Sequence, residues 1–159
     1  MKSKYASLNA LIATALTATS VSASPLQDAI DSDYPYLDSL FKHFHANPEL
    51  SLQEFKTSDR LAQELEALGF TVTRNIGKTG LVGTMRNGDG PVLLIRADMD
   101  GLPVLEKTDL DYASTVRQVN LEGIDMPVMH ACGHDMHMTS VGTTCIWRVW
   151  WVSRGGWWR

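Results

Sequence analysis

The sequence predicts an α/β protein. Three observations carry that reading: two stretches of helical periodicity in the first half, short strand-like runs after them, and one run, Val92 to Ile95, that is apolar throughout. A continuous apolar run is the pattern of a strand buried on both faces, as in the central sheet of an α/β protein. It delivers Arg96-Ala97-Asp98-Met99-Asp100 to its C-terminal end, the edge at which ligand sites of open α/β sheets collect.

The elements follow in order. Leu26, Ile30, Leu37, Leu40, Phe41 and Phe44 fit a helix broken near Pro35 and ended by Asn47-Pro48. Ser51 with Glu54 three residues on forms a capping box for a second helix, whose apolar stripe is Phe55, Leu61, Ala62, Leu65 and Leu68. Gly69 supplies its stop. Phe70 to Arg74 alternates as a strand does, Gly80 to Met85 reads as a short apolar strand, and Asn87-Gly88 signals a tight turn before Val92.

The 159 residues, 44% of them apolar, suffice for one ordinary core. The formal charge is −4, and all 18 acidic residues lie between Asp28 and Asp135. With no cluster of Lys and Arg, the chain has no electrostatic footprint for nucleic acid or an anionic membrane, which leaves a small molecule or peptide as the expected partner. Residues 1–23 read as a secretory signal peptide: Lys2 and Lys4 are its basic start, Leu8 to Ala18 its apolar centre, and Val21-Ser22-Ala23 its small-residue cleavage site. Thr14, Thr17, Thr19 and Ser20 interrupt the run too early for a membrane span, which needs about 20 apolar residues. The expected mature protein is secreted or periplasmic. Export would lead to an oxidising compartment, where Cys132 and Cys145 could pair; Cys132 also sits where a metal thiolate would suit.

The densest chemistry lies in Met129-His130-Ala131-Cys132-Gly133-His134-Asp135-Met136-His137, which holds three of the five histidines. A Cys-x-His pair can place a thiolate and an imidazole on one divalent cation if the backbone turns at Gly133, where a missing side chain permits the turn. Asp135 could orient a ligand imidazole from behind. Upstream, Asp98 and Asp100 share a side if extended geometry continues, and two such acids repel unless a cation lies between them or Arg96 neutralises them.

Three segments together resemble one family. His45-Ala46-Asn47-Pro48-Glu49-Leu50-Ser51, Arg96 to Val104 and Met129 to His137 are similar, in order and spacing, to the markers of the aminoacylase and carboxypeptidase G metallopeptidases, in the branch of hippurate hydrolases, N-acyl-amino-acid hydrolases and auxin-conjugate hydrolases. The likeness runs from about Tyr34 to Gly142. It implies the N-terminal part of a zinc-exopeptidase-like catalytic domain, a central mixed sheet flanked by helices, over residues 24–140. It further implies two divalent cations per complete site (zinc, manganese, cobalt or nickel), an N-acyl amino acid or small peptide as substrate, and homo-oligomeric full-length relatives. Cys132 and His134 match metal ligands of the family, Asp100 matches the acid that orients the catalytic machinery, and Asp98 stands where related branches carry a histidine ligand. Gly101 replaces the family's usual alanine, a small change in volume.

The family's glutamate base and remaining ligands fall downstream of this segment, but the sequence has no Asp or Glu after Asp135 and no His after His137. All five tryptophans crowd into Trp147 to Trp158, among Arg148, Arg154, Arg159 and Gly155-Gly156. Residues 141–159 therefore read as an aberrant tail, from a shifted frame or truncated gene, on an inactive N-terminal fragment. Two other readings use the same residues: a non-enzymatic zinc module held by Cys132, His134 and perhaps His130, and a thiol hydrolase with Cys132 as nucleophile.

Overall fold

The computed structural model describes residues 25–86, 88, 89 and 91–141; the signal segment, Cys145 and almost all of the tail lie outside the described residues. The chain divides into two compact units, Met1–Ser32 and Asp33–Arg159. In the first, Gln27 donates to Asp31 Oδ1 at 2.8 Å, one turn away. Everything below concerns the second unit and the helix that leads into it.

Helix α1 spans Pro25–Ala46. Leu37, Leu40 and Phe44 fall at helical spacing and are buried. The expected break at Pro35 does not occur. The proline removes one amide donor, but Tyr34 and Tyr36 around it are exposed, and the buried face resumes at Leu37. The helix ends as Asn47 donates its amide to Phe44 O at 3.1 Å and its side chain to His43 O at 2.8 Å.

Helix α2, Phe55–Ala67, starts three residues later than the capping box implies, and Ser51 does not cap it. Residues 51 and 52 turn instead, with Leu52 at φ 64°. Glu49 takes over the capping: its carboxylate accepts the amides of Lys56 and Thr57 at 3.2 and 2.8 Å. Glu54 is drawn away to the buried hydroxyl of Thr79 at 2.6 Å. Gly69, at φ 83°, closes the helix as the sequence predicts, donating to Glu66 O at 2.9 Å.

Strands β1 (Thr71–Ile76) and β2 (Gly80–Thr84) form an antiparallel hairpin that packs on α2. Strands β3 (Arg117–Val119) and β4 (Asp125–Pro127) form a second one, which sequence patterning missed. Its turn was marked locally by Asn120, whose side chain accepts the amides of Glu122 and Ile124, and by Gly123 at φ 83°. The α/β class holds, and the apolar run Val92 to Ile95 is left uncovered: Val92 to Leu94 are 65–97% exposed, and no described strand pairs with them. A strand in a sheet interior needs neighbours on both edges to satisfy its backbone groups, and among the described residues none lies beside this segment.

Residues 134–141 are helical and form α3. Its Met138 meets Leu40 and Phe44 of α1, with Leu61 and Met99 packed around them. Burying each such side chain contributes about 1.5–3 kcal/mol, so this cluster fixes α3 against α1. Two short links then set the site. Gly101 donates to Glu49 O at 2.7 Å, and Leu102 exchanges two backbone hydrogen bonds with Met129, at 2.8 and 3.0 Å. They hold Asp100 beside the segment 130–134. The exchange of alanine for glycine at 101 is not neutral here, because a Cβ would stand 2.8 Å from Val128 Cγ1 and 2.9 Å from Pro48 Cβ.

Candidate functional site

The turn between Met129 and α3 is built on Gly133, whose φ of 74° lies in the left-handed region where glycine carries no Cβ penalty. Its amide donates to His130 O at 3.1 Å, and its carbonyl accepts the amides of Met136 and His137, which starts α3. The turn leaves Cys132 as an exposed thiol and His134 on the first residue of the helix. The glycine thus acts as the Cys-x-His spacing predicts.

Nδ1 of His134 lies 2.9 Å from Asp100 O and 3.0 Å from Asp100 Oδ1. Both are acceptors, so Nδ1 carries a proton, and in the neutral ring Nε2 is the nitrogen with the lone pair. An imidazole held at one nitrogen by a carboxylate with the other left basic is the form in which histidine binds a metal. His137 stacks on this ring, with centroids 5.5 Å apart.

The two acids of Asp98-x-Asp100 part company. Asp98 pairs with Arg96, the neutralising partner its parity allows, while Asp100 turns to His134. The role expected of Asp135 is corrected as well. Its Oδ2 lies 2.7 Å from His45 Nδ1 and its Oδ1 accepts the Met136 amide at 2.8 Å, so the carboxylate at His134 is Asp100. Among the described residues, neither nitrogen of the buried His130 has a partner at hydrogen-bonding geometry. Burial lowers its pKa, a trend that the nearby Asp135 charge and the Asp100 backbone oppose only in part.

His45 opens the first family-like segment and Glu106 is a carboxylate without motif support as a base; neither has a structural role readable from the sequence, yet they form a network with Asp135. His45 Nε2 lies 2.9 Å from Glu106 Oε1, and Glu106 also accepts the Ser114 amide at 2.6 Å and the Thr108 hydroxyl. Burial pulls the His45 pKa down, but the hydrogen bonds and charges of Glu106 and Asp135 outweigh it and hold it above the ordinary value. Burial works the other way on Glu106, where the donors Thr108, His45 and Ser114 prevail and its pKa is lowered.

The donor chemistry fits a divalent cation in part: an exposed thiol and an imidazole with a free Nε2 stand two residues apart, and a thiolate favours zinc or another borderline-soft ion over magnesium. Among the described residues no group of three or more His, Cys, Asp and Glu is arranged to hold a metal ion.

Comparison with known proteins places these residues in context. No family model matches the chain. It is 44% identical over 98 residues to the hippurate hydrolase of Campylobacter jejuni, covering 61% of this chain and 23% of that one. It is 42% identical over 99 residues to thermostable carboxypeptidase 2 of Saccharolobus solfataricus, covering 61% and 23%. Among solved structures it superposes on a dinuclear metal-binding M20-family peptidase of Bacillus subtilis with TM-score 0.65 and 34% identity, over 76% of this chain and 32% of that one. The chain spans between 23% and 30% of the length of the first curated relatives it matches.

Proposed function

This chain belongs with the M20-family metal-dependent hydrolases, and from that premise we propose that it carries the N-terminal part of an amidohydrolase catalytic domain, one that cleaves the amide bond of N-acyl amino acids or small peptides. The observation that carries the proposal is the His134 corner, where Asp100 fixes the tautomer and leaves Nε2 available beside the Cys132 thiol. Cys132, His134 and Asp98 would hold divalent metal, and Asp100 would orient His134 and the machinery around it. Bound there, such cations polarise a scissile carbonyl and lower the pKa of water.

The chain on its own is inferred to be inactive. A general base contributes on the order of a hundred- to ten-thousand-fold in rate, and the described carboxylates near the site are committed elsewhere. Glu106 is bound to His45, Ser114 and Thr108; Asp135 is bound to His45 and Met136; Asp100 serves His134. Glu122 is exposed in the β3–β4 turn, and no Asp or Glu follows Asp135. The zinc-module alternative needs a third ligand, and the unpartnered nitrogens of His130 favour it, but His130 does not converge with Cys132 and His134. We further propose export, from Lys2, Lys4 and Val21-Ser22-Ala23, with a small acyl-amino-acid or peptide partner and homo-oligomeric longer relatives.

Zinc content and turnover test the proposal together. Any zinc bound by the 159-residue chain should be held loosely, be lost in Cys132→Ser and in His134→Ala and bind more weakly in Asp98→Asn, and the chain should hydrolyse no N-acyl amino acid. Unchanged zinc stoichiometry in both Cys132→Ser and His134→Ala would overturn the ligand assignment. Amide hydrolysis that a chelator blocks would overturn the inference of inactivity.

A further inference from the structure

Behind the Cys132–His134 turn, three separate stretches of chain converge on one imidazole. His45 comes from the last turn of α1, Glu106 from the loop after Gly101, and Asp135 from the first turn of α3. The ring nitrogens of His45 lie 2.7 Å from Asp135 Oδ2 and 2.9 Å from Glu106 Oε1. The side chains are 10%, 4% and 1% exposed for His45, Asp135 and Glu106. Phe41 and Tyr112 pack against the ring, at centroid distances of 5.7 and 5.2 Å.

Each acid passes the constraint on. Glu106 accepts the Ser114 amide, and the Ser114 hydroxyl donates to Val128 O at 2.7 Å, one residue before Met129. Asp135 accepts the Met136 amide at the start of α3 and follows His134 directly. Taking charges out of water is costly, and an apolar cluster of the same volume is often at least as stable. What such a network offers is a fixed geometry, since every member has one set of partners. Here that geometry brackets the turn 129–135 from both ends.

We propose that His45 is a positioning residue: by bridging Glu106 and Asp135, its imidazole locks the turn that presents Cys132 and His134 to a metal. The consequence for metal binding rests on the ligand reading above, whereas the locking of the turn is measurable without metal. Partners that orient ligands from behind typically change metal affinity 10- to 100-fold when removed.

The test uses the full chain titrated with cobalt(II), whose thiolate charge-transfer absorption reports coordination by Cys132, together with hydrogen exchange on the metal-free protein. His45→Gln should weaken cobalt about 10- to 100-fold, alter the thiolate band, and speed amide exchange at residues 133–139, with the far-ultraviolet circular dichroism unchanged. Asp135→Asn should do the same, and the double variant should be no weaker than either single one, because both break one link. Glu106→Gln, which keeps the ring and the volume, serves if His45→Gln does not fold, and it should shift affinity in the same direction. If Cys132→Ser leaves the cobalt spectrum intact, or no band forms at all, the ligand reading fails, and the exchange data alone decide the lock. Cobalt affinity within twofold of wild type together with unchanged exchange in His45→Gln overturns the proposal. So do fully additive losses in the double variant, or loss of fold in both His45→Gln and Glu106→Gln.

Discussion

Replacing Gly101 by alanine, the residue usual in the family, should destabilise this chain. Gly101 is buried, and an added Cβ would meet Val128 Cγ1 at 2.8 Å, Pro48 Cβ at 2.9 Å and Met129 O at 3.3 Å. Carbon pairs are most favourable at about 3.5–4.0 Å, so the first two contacts are short by more than half an ångström. Neither neighbour can yield into solvent: Val128 is 1% exposed and Pro48 is among the fully buried side chains. Nor can the glycine backbone retreat freely, since its amide is tied to Glu49 O at 2.7 Å. Forcing one methyl group into such packing costs about 1–3 kcal/mol. Alanine recovers about 0.4–1 kcal/mol by narrowing the unfolded ensemble, because Gly101 is not among the residues at positive φ. At mid-range, about 2 less about 0.7 kcal/mol, the net loss is about 1.3 kcal/mol, which a mid-range urea slope of about 2 kcal/mol per molar converts to a midpoint lower by roughly 0.6–0.7 M. Urea unfolding followed by circular dichroism reads this directly. A midpoint equal to or above that of the wild-type chain would refute the reasoning and mean that Pro48 and Val128 pack less rigidly than their burial indicates.

Two further outcomes follow from the same structure. Glu49→Ala removes the acceptor of the Lys56 and Thr57 amides and should cost about 0.5–2 kcal/mol, read as a lower urea midpoint with early fraying of α2 in hydrogen exchange; an unchanged midpoint would return the cap to Ser51. The raised pKa of His45 gives stability that is fully present below its unfolded value of 6.5 and lost as pH rises through the folded value, while the lowered pKa of Glu106 gives stability present above 4.5 and lost as pH falls through its folded value. Buried His130 has the opposite dependence to His45, so the measurement is the difference between wild type and His45→Gln: the gap in urea midpoint should narrow from pH 6 to pH 9, and a constant gap would contradict the pairing.

Local signals in the sequence were read well and distant partners were not. Gly69 and Gly133 were legible because a helix stop and a Cys-x-His turn each need one residue without a Cβ, a requirement visible within a few positions. The stretch His45-Ala46-Asn47-Pro48-Glu49 marked the family, yet what its side chains do was invisible. Asn47 closes α1, which is local, but Glu49 caps a helix that begins six residues later, and the Nδ1 partner of His45 lies 90 residues away. The capping box misled because Ser51 and Glu54 have the right spacing, while the helix starts after Glu54 and Glu49 outcompetes Ser51 as a charged acceptor. Val92 to Ile95 shows a different limit: composition can mark a segment fit for a sheet interior, but burial also requires neighbouring strands, which no property of the segment itself supplies.

The separation of Asp98 from Asp100 can be weighed by magnitude. Asp98 is taken by Arg96, which at first sight argues against a ligand role. Both side chains are open to solvent, at 77% exposure for Arg96 and 41% for Asp98, and an exposed ion pair is worth about 0–1 kcal/mol. A pair that weak can open, which would leave Asp98 free to turn to a cation bound at Cys132 and His134. Asp100 is in the opposite position. Its carboxylate and its own carbonyl both face Nδ1 of a His134 side chain that is only 15% exposed, and Gly101 beside it is pinned to Glu49. It is the less mobile acid and already fixes the imidazole tautomer, so of the two it is the one suited to orient a ligand, and Asp98 the one free to become one.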